Sequence, residues 1–213
     1  MISEEVAKIL LDIKAVALNP EKPFRFVSGI LSPIYCDNRL IMSYPEKRRE
    51  IRDYFLETIE KNNLEFDIVA GVATSGIPHA AWIAEKLEKP MIYIRSSKKE
   101  HGKGKQIEGE LKNGQRVLVV EDLISTGGSS VAAVKAVEDA GGEVVACLAI
   151  FTYNMEKANQ KFKEADCNLI PLSNFETLIE TASKNNYIKS GDKDKILEWN
   201  KNPQEWGNRM GFE

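Results

Sequence analysis

Short apolar segments alternate with amphipathic ones through the middle of this chain, and that alternation restricts the possible folds more than any other feature. The apolar runs are nearly continuous and cover residues 67–72, 91–94, 117–120, 144–150 and 168–172. Continuous runs are typical of parallel strands that are buried on both faces. Helical patterns follow most of them, at residues 77–87, 130–140 and 155–164. The pattern predicts an α/β fold in which helices flank a five-stranded parallel sheet.

The first part of the chain has a different pattern, with two helices and little regular structure between them. Apolar residues recur at helical spacing within residues 4–17. Ser43 and Glu46 have the spacing of a capping box, and Pro45 suits a first helical turn, so a second helix should begin near Ser43. Residues 19–42 are rich in Pro, Gly and Ser and predict short extended stretches.

The composition excludes several classes of protein. A net charge of −3 gives no electrostatic reason for binding nucleic acid or an anionic membrane. Three cysteines without close spacing argue against a disulfide framework or a zinc site. No apolar run approaches the roughly 20 residues that cross a bilayer. We expect a soluble, cytoplasmic protein with one domain over residues 1–213, a core sheet at about residues 64–172 and a small hood mainly from residues 1–42.

The third apolar run leads into two adjacent carboxylates, Glu121 and Asp122. Apolar, hydroxyl and glycine residues then precede a helix: Leu123, Ile124, Ser125, Thr126, Gly127, Gly128 and Ser129. Ligands of open α/β sheets bind beyond the carboxyl ends of strands, and N–H groups that converge at a helix N-terminus bind anions. Carboxylates accept hydrogen bonds from sugar hydroxyls. The segment predicts a site for a ribose 5-phosphate group, and the alternative is a polar strand end with a helix cap.

Cationic residues are concentrated after the second apolar run, at Arg95, Lys98, Lys99, His101, Lys103 and Lys105. Only Glu100 opposes them, and two glycines give the segment conformational freedom. A cationic loop of this kind could close over a pyrophosphate, and the alternative is a solvated surface loop. Nucleic-acid binding is disfavoured because no aromatic residues are interspersed with the charges.

The acidic segment resembles the phosphoribosyl pyrophosphate signature of the type I phosphoribosyltransferases, and residues 95–102 resemble the catalytic loop of the orotate phosphoribosyltransferases. The resemblance implies that Glu121 and Asp122 contact the ribose hydroxyls and that residues 125–129 bind the 5-phosphate. Leu123 and Ile124 are implied to belong to the same phosphoribosyl pyrophosphate site. It also implies that Arg95, Lys99 and His101 bind the pyrophosphate. Lys99, Glu121 and Asp122 are then the candidate catalytic residues.

Two further segments are similar to the same family. Residues 26–39 resemble its orotate-side hood, and residues 71–78 resemble its pyrophosphate loop, which implies that Thr74 and Ser75 contact the diphosphate. Ser125 and Tyr35 are the implied orotate contacts. Taken alone, these Ser-Gly and Ser-Pro stretches would indicate simple turns, and a tyrosine is more often part of a core.

The chain departs from the family pattern at three places. Many members have a lysine where this chain has Val27 or Leu31, and some have an arginine near the positions of Thr152 and Tyr153. Arg25 lies two residues before Val27, so both side chains point to one face of an extended segment. We therefore predict that Arg25 supplies the lost charge at the orotate side, with Arg39 as the reserve candidate.

The resemblance implies transfer of the phosphoribosyl group of 5-phosphoribosyl 1-pyrophosphate to orotate in de novo pyrimidine (UMP) biosynthesis. The products would be orotidine 5-monophosphate and pyrophosphate. The implied cofactor is Mg²⁺, held mainly by the diphosphate and not directly by side chains. The implied assembly is a homodimer in which the 95–110 loop of one subunit closes over the partner's site. Two alternatives stay open: transfer to another base, or a non-catalytic regulator that senses phosphoribosyl pyrophosphate.

Overall fold

The computed structural model describes residues 1–26, 29–96, 106–189 and 191–212. The strands in these ranges are β1 (Val16–Leu18), β2 (Phe24–Arg25), β3 (Leu31–Ser32), β4 (Ile34–Cys36), β5 (Ile68–Val72), β6 (Met91–Ile94), β7 (Ile107–Glu108), β8 (Arg116–Ile124), β9 (Glu143–Thr152) and β10 (Leu169–Asn174). The α-helices are α1 (Ile2–Asp12), α2 (Pro45–Lys61), α3 (Gly76–Lys86), α4 (Gly128–Asp139), α5 (Glu156–Glu164), α6 (Phe175–Lys184), α7 (Asp192–Lys201) and α8 (Pro203–Arg209). In the described ranges, no helix has the length and apolar character needed to cross a membrane.

The chain divides into two compact units. The sheet unit comprises Pro45–Leu172, and the terminal unit comprises Met1–Tyr44 together with Ser173–Glu213. The terminal unit thus contains the residues that the sequence predicted as the hood, and it also contains the C-terminal segment, for which the sequence analysis assigned no structure.

The sheet has the strand order β10-β9-β8-β5-β6-β7. β5 pairs in parallel with β6 and with β8, and β8 pairs in parallel with β9. The predicted α/β fold with a mainly parallel sheet is confirmed, but the predicted number of five strands was wrong. The sixth strand is β7, which pairs antiparallel to β6. A strand of two residues within a polar segment is too short to produce a pattern in the sequence.

The core of the sheet unit lies where the central strands meet the helices. All residues of β5 are buried, as are Val117, Val119 and Cys147 in the neighbouring strands. Val134 of α4 and Phe162 of α5 belong to the same cluster. Full burial of an aliphatic or aromatic side chain contributes roughly 1.5–3 kcal/mol, so this cluster holds the loops at the carboxyl edge of the sheet on a rigid support.

In the terminal unit the first helix is shorter than its apolar pattern predicts. α1 ends at Asp12, and Lys14 adopts a left-handed conformation with φ of 58°. The chain then enters β1, which pairs antiparallel with β4, so Ala17 lies opposite Tyr35 in a strand. The predicted helix over residues 4–17 was therefore too long, because the strand pairing of residues 16–18 overrides the helical spacing.

The second helix begins at Pro45, two residues later than its predicted start near Ser43. A 3-10 helix covers Asn38–Ser43, and the Tyr44 N–H donates to the Ile41 carbonyl at its end. Ser43 is thus part of the preceding turn and does not cap α2. The prediction of Pro45 in the first helical turn is confirmed.

The C-terminal segment forms α6, α7 and α8, which complete the core of the terminal unit. Trp199 and Trp206 are almost fully buried. Each indole has a hydrogen bond: Trp199 Nε1 donates to the Leu31 carbonyl at 3.0 Å, and Trp206 Nε1 donates to the Lys195 carbonyl at 2.8 Å. A buried indole N–H requires such a partner, so these contacts fix α7 and α8 within the unit.

Candidate active site

Glu121 and Asp122 lie inside a strand and not after its end. β8 pairs with β9 as far as Ile124, which lies opposite Thr152. The sequence placed the end of this strand at the two carboxylates, and the structure continues it to Ile124, because the apolar run of β9 extends to Phe151 and prolongs the pairing. Side chains alternate between the two faces of a strand. Glu121 is accordingly buried, with 5% exposure, whereas Asp122 is half-buried.

The buried carboxyl group of Glu121 is held by two donors. The Ser130 hydroxyl donates to Oε2 at 3.3 Å, and the Asp122 N–H donates to Oε1 at 3.1 Å. Burial, followed by the negative charge of Asp122 and a hydrogen bond to its side chain, raises the pKa of Glu121 to about 8. Burial and the neighbouring charge thus favour the protonated form of the Glu121 carboxyl group.

The glycine loop after β8 leads directly into a helix. The chain bends through Ser125 and Thr126, and α4 begins at Gly128. Gly127 has a φ of 72°, and a Cβ there would lie 3.3 Å from Cα of Ala158 in α5. Among the described residues no side chain caps α4. The cap that was the alternative interpretation is therefore absent there, and the geometry favours an anion at the first N–H groups of the helix.

A second loop reaches the same edge of the sheet at the start of α3. A Cβ on Gly76 would lie 2.4 Å from the Val120 carbonyl oxygen, so only glycine allows α3 to approach β8 this closely. Thr74 and Ser75 immediately precede this contact, and the peptide bond between Ala73 and Thr74 is cis. The structure therefore brings the predicted diphosphate residues close to the part of β8 that contains Glu121.

Arg95 is fixed at the base of the predicted cationic loop. Its N–H donates to the Gln106 carbonyl at 2.9 Å, and the Gln106 side chain donates back to the Arg95 carbonyl at 2.8 Å. Its Nη1 lies 3.4 Å from Glu108 Oε1 in β7. Lys99 and His101 lie outside the described residues. The structure thus places the two ends of this loop side by side, with the Arg95 guanidinium at one of them.

The candidate orotate residue Arg25 lies in the terminal unit. It is exposed in β2, and its Nη1 is 3.5 Å from the Gly29 carbonyl. In the pairing of β2 with β3, Arg25 lies directly opposite Leu31. Opposite residues of an antiparallel pair share a face, so Arg25 projects beside one of the positions where many family members have a lysine. Val27, the other such position, lies outside the described residues.

The remaining candidates in the terminal unit differ in their surroundings. Tyr35 is 43% exposed in β4, and its ring centroid is 5.8 Å from that of Phe24. The Arg39 guanidinium makes two contacts with Asp37, from Nε at 2.6 Å and from Nη2 at 2.8 Å. This pairing, with partial burial opposing it, lowers the pKa of Asp37. Arg39 thus lies beside a carboxylate within its own segment.

The end of β9, where some family members have an arginine, contains only neutral buried side chains. Thr152 and Tyr153 are 3% and 4% exposed. The Thr152 hydroxyl accepts from the Asn154 N–H at 3.0 Å. His79 of α3 is also buried, its ring meets that of Trp82 edge-on at 5.1 Å, and burial lowers its pKa to about 4. A neutral packed histidine is consistent with a structural role.

Three residues that were not among the predicted site residues shape this site. The Ser130 hydroxyl donates to Glu121, and a Cβ on Gly76 would lie 2.4 Å from the Val120 carbonyl oxygen. The Nζ atom of Lys161 lies 3.2 Å from the point where a Cβ of Gly128 would stand. A serine in the first turn of a helix indicates only a cap, and a lysine on a charged surface helix indicates only solvation. Their roles depend on distances between separate elements. Across the described ranges, His, Cys, Asp and Glu side chains form no group of three or more that could hold a metal ion.

Glu121→Gln should change how stability depends on pH. Between pH 4.5, the ordinary pKa, and about 8, only the folded state holds the Glu121 proton. Folding stability of the wild type therefore falls as pH rises through this window. Glutamine cannot ionise, so the free energy of unfolding of the variant should rise relative to that of the wild type as pH increases from 5 to 8. The difference should grow by roughly 1.4 kcal/mol per pH unit at most and reach a few kcal/mol.

Urea unfolding at several pH values measures this difference. The exposed Glu143→Gln, at the start of β9, is the matched control and should give a curve parallel to that of the wild type. Parallel curves for Glu121→Gln and the wild type would contradict the buried, protonated carboxyl group.

Comparison with known proteins agrees with this geometry. The family model described as "Phosphoribosyl transferase domain" matches residues 41–203. Orotate phosphoribosyltransferase of Coxiella burnetii is 58% identical over 95% of this chain and 97% of its own length. Among solved structures, orotate phosphoribosyltransferase from Aeropyrum pernix has a TM-score of 0.74 and 28% identity, over 86% of this chain and 99% of that one. UMP synthase of Leishmania donovani has a TM-score of 0.78 and 28% identity, over 93% of this chain but 42% of that longer chain.

The fold and the site together define a phosphoribosyltransferase domain. The 58% sequence identity to an orotate phosphoribosyltransferase, over nearly the full length of both chains, identifies one family within this class. The chain belongs to the orotate phosphoribosyltransferase family, and the resemblance seen in the sequence is confirmed.

Proposed function

We propose that this protein transfers the phosphoribosyl group of 5-phosphoribosyl 1-pyrophosphate to orotate in UMP biosynthesis. The observation that carries the proposal is the glycine loop at the uncapped start of α4, which directly follows the carboxyl pair of β8. An anion site next to sugar-binding carboxylates suits a ribose 5-phosphate. Membership of the orotate phosphoribosyltransferase family supports orotate as the acceptor.

The reaction exchanges one bond for another at the anomeric carbon of the ribose. The bond from this carbon to the pyrophosphate oxygen breaks, and its electron pair leaves with the pyrophosphate. A ring nitrogen of orotate supplies the pair for the new bond and gives up its proton to the departing pyrophosphate or to water, and orotidine 5-monophosphate forms. Positive charge develops on the ribose between these events, and the carboxylate of Asp122 stabilises it. No side chain needs to act as a nucleophile.

The proposed roles follow the arrangement of the site. Residues 125–129 bind the 5-phosphate through their N–H groups, and Glu121 and Asp122 accept hydrogen bonds from the ribose hydroxyls. In its protonated form, which burial favours, Glu121 can also donate a hydrogen bond. Thr74 and Ser75 face the diphosphate. Arg95, Lys99 and His101 neutralise the leaving pyrophosphate, and closure of their loop excludes water that would hydrolyse the activated sugar.

We extend the proposal to Mg²⁺, which is an oxygen-binding cation that commonly bridges phosphate groups. The residues present fit such an ion, because the half-buried Asp122 offers carboxylate oxygens beside the predicted diphosphate position. When bound, Mg²⁺ would neutralise the charge of the leaving group. We propose that the diphosphate holds it and that Asp122 orients the ribose next to it.

We also propose that Ser125, Tyr35 and Arg25 contact orotate and that the hood comes mainly from residues 1–42. The position of Arg25 opposite Leu31 supports its role as the replacement for the missing lysine. We propose a cytoplasmic homodimer in which the 95–110 loop of one subunit closes over the site of its partner. Two-fold symmetry lets each loop serve the opposite site without additional sequence.

Loss of orotate absorbance tests the proposed reaction. The purified protein should consume orotate only when both phosphoribosyl pyrophosphate and Mg²⁺ are present. Hypoxanthine, adenine and uracil should give no comparable turnover. Turnover of one of these bases without turnover of orotate would show that this base, and not orotate, is the acceptor. Binding of phosphoribosyl pyrophosphate without turnover of any base would indicate a regulator.

A further inference from the structure

A lysine from a separate helix lies beside the glycine loop. The Nζ atom of Lys161 in α5 is 3.2 Å from the point where a Cβ of Gly128 would stand. Gly128 is the first residue of α4. The ammonium group therefore lies at the helix start whose N–H groups form the proposed 5-phosphate site.

The packing of α5 directs Lys161 to this place. Ala158 and Phe162 are buried, and both lie 3.3 Å from the point where a Cβ of Gly127 would stand. Residues three and four apart share one face of a helix, so Lys161 follows Ala158 on the face that packs against the loop. Lys161 is half-buried, whereas Lys163 on the same helix is exposed. The lysine is thus held over the loop by its neighbours.

The charge of Lys161 has no carboxylate partner in the described part of the chain, where no Asp or Glu oxygen lies within 4.0 Å of its Nζ. A phosphate monoester carries between about 1.5 and 2 negative charges at pH 7, and the loop itself contains only neutral groups. In P-loop proteins a lysine directly after the glycines supplies the positive charge. This chain has Ser129 at that place, and Lys161 brings an ammonium group to the loop from α5.

We propose that Lys161 binds the 5-phosphate of the phosphoribosyl substrate and increases the affinity for it. This inference rests on the proposed function, because it uses the glycine loop as the phosphate site. A charge-assisted hydrogen bond of this kind contributes to binding of the substrate and the transition state alike. Lys161 therefore acts on the Michaelis constant for phosphoribosyl pyrophosphate and leaves kcat nearly unchanged.

Titration with ribose 5-phosphate tests the proposal without any base or diphosphate. Lys161→Met keeps an unbranched side chain and removes the charge, whereas Lys161→Arg keeps the charge. Lys161→Met should weaken binding about tenfold, in the range of a lost hydrogen bond to a charged group, and Lys161→Arg should retain most of it. Lys163→Met is the matched control on the same helix and should bind as the wild type does. In the turnover assay, the Michaelis constant for phosphoribosyl pyrophosphate should rise by a similar factor in Lys161→Met alone.

The outcomes separate this inference from the function on which it rests. Equal affinity of Lys161→Met and the wild type for ribose 5-phosphate would overturn the role of Lys161 and leave the enzymatic assignment standing. Equal loss in Lys161→Met and Lys161→Arg would also overturn it, because shape and not charge would then matter. A wild type that does not bind ribose 5-phosphate would refute the phosphate site itself. Thermal unfolding checks that each variant is folded, and Lys161→Gln replaces Lys161→Met if the latter is unfolded.

Discussion

Asp122→Asn should reduce kcat/KM for orotate by about 10²–10³-fold, because the loss of one preorganised contact to developing charge costs roughly 2.7–4 kcal/mol. Asparagine has nearly the same size and can still accept a hydrogen bond from a ribose hydroxyl. What it removes is the negative charge next to the anomeric carbon. Burial favours the protonated form of Glu121, so this neighbour should not compensate for the loss of the Asp122 charge.

The fold of Asp122→Asn should be retained, because Asp122 is half-buried in β8 and lies outside the hydrophobic core. Circular dichroism and thermal unfolding check this point. Asp139→Asn makes the same chemical change at an exposed residue that ends α4, and it should retain wild-type activity. Near-normal turnover in a folded Asp122→Asn would show that the carboxyl pair has no catalytic role and is only a polar feature of the strand.

Mixing two inactive variants should restore about a quarter of the wild-type activity if the loop acts between subunits. The variants are Lys99→Ala in the cationic loop and Asp122→Asn in β8. In a mixed dimer with shared sites, one site lacks both groups and the other lacks neither. Random exchange makes half of the dimers mixed. Each mixed dimer has one of its two sites intact, so about a quarter of all sites are active.

The same experiment distinguishes a loop that acts within its own subunit. Every site would then carry one lesion, and no activity would return. Subunit exchange is verified separately with differently tagged chains. Mixing Lys99→Ala with itself is the control and should give no recovery in either arrangement. Absence of recovery despite verified exchange would refute the shared site and leave the reaction unaffected.

The sequence predicted the sheet and the acidic segment well because both depend on local pattern. The runs around Val69 and Val119 are short and apolar throughout, as expected of parallel strands that are buried on both faces. The glycines after Asp122 indicated the turn because Gly127 needs a positive φ that other residues rarely adopt. Such features can be recognised without knowing what packs against them.

Other features depend on contacts between distant segments and could not be predicted in the same way. Glu121 lies within β8 because β9 continues beside it, and its raised pKa follows from that burial. Lys161 belongs to a helix whose pattern indicates only a charged surface, and only the packing of α5 brings it to Gly128. Lys14 ends a helix that the apolar spacing would continue. In each case tertiary packing decides between local alternatives.

A competition for limiting phosphoribosyl pyrophosphate tests the central claim most directly. The protein is incubated with Mg²⁺ and equal concentrations of orotate, uracil, hypoxanthine and adenine, and the nucleotides formed are identified by mass spectrometry. We expect orotidine 5-monophosphate as the dominant product, with an equal amount of pyrophosphate. A different dominant nucleotide, or consumption of phosphoribosyl pyrophosphate without any nucleotide, would contradict the proposed function.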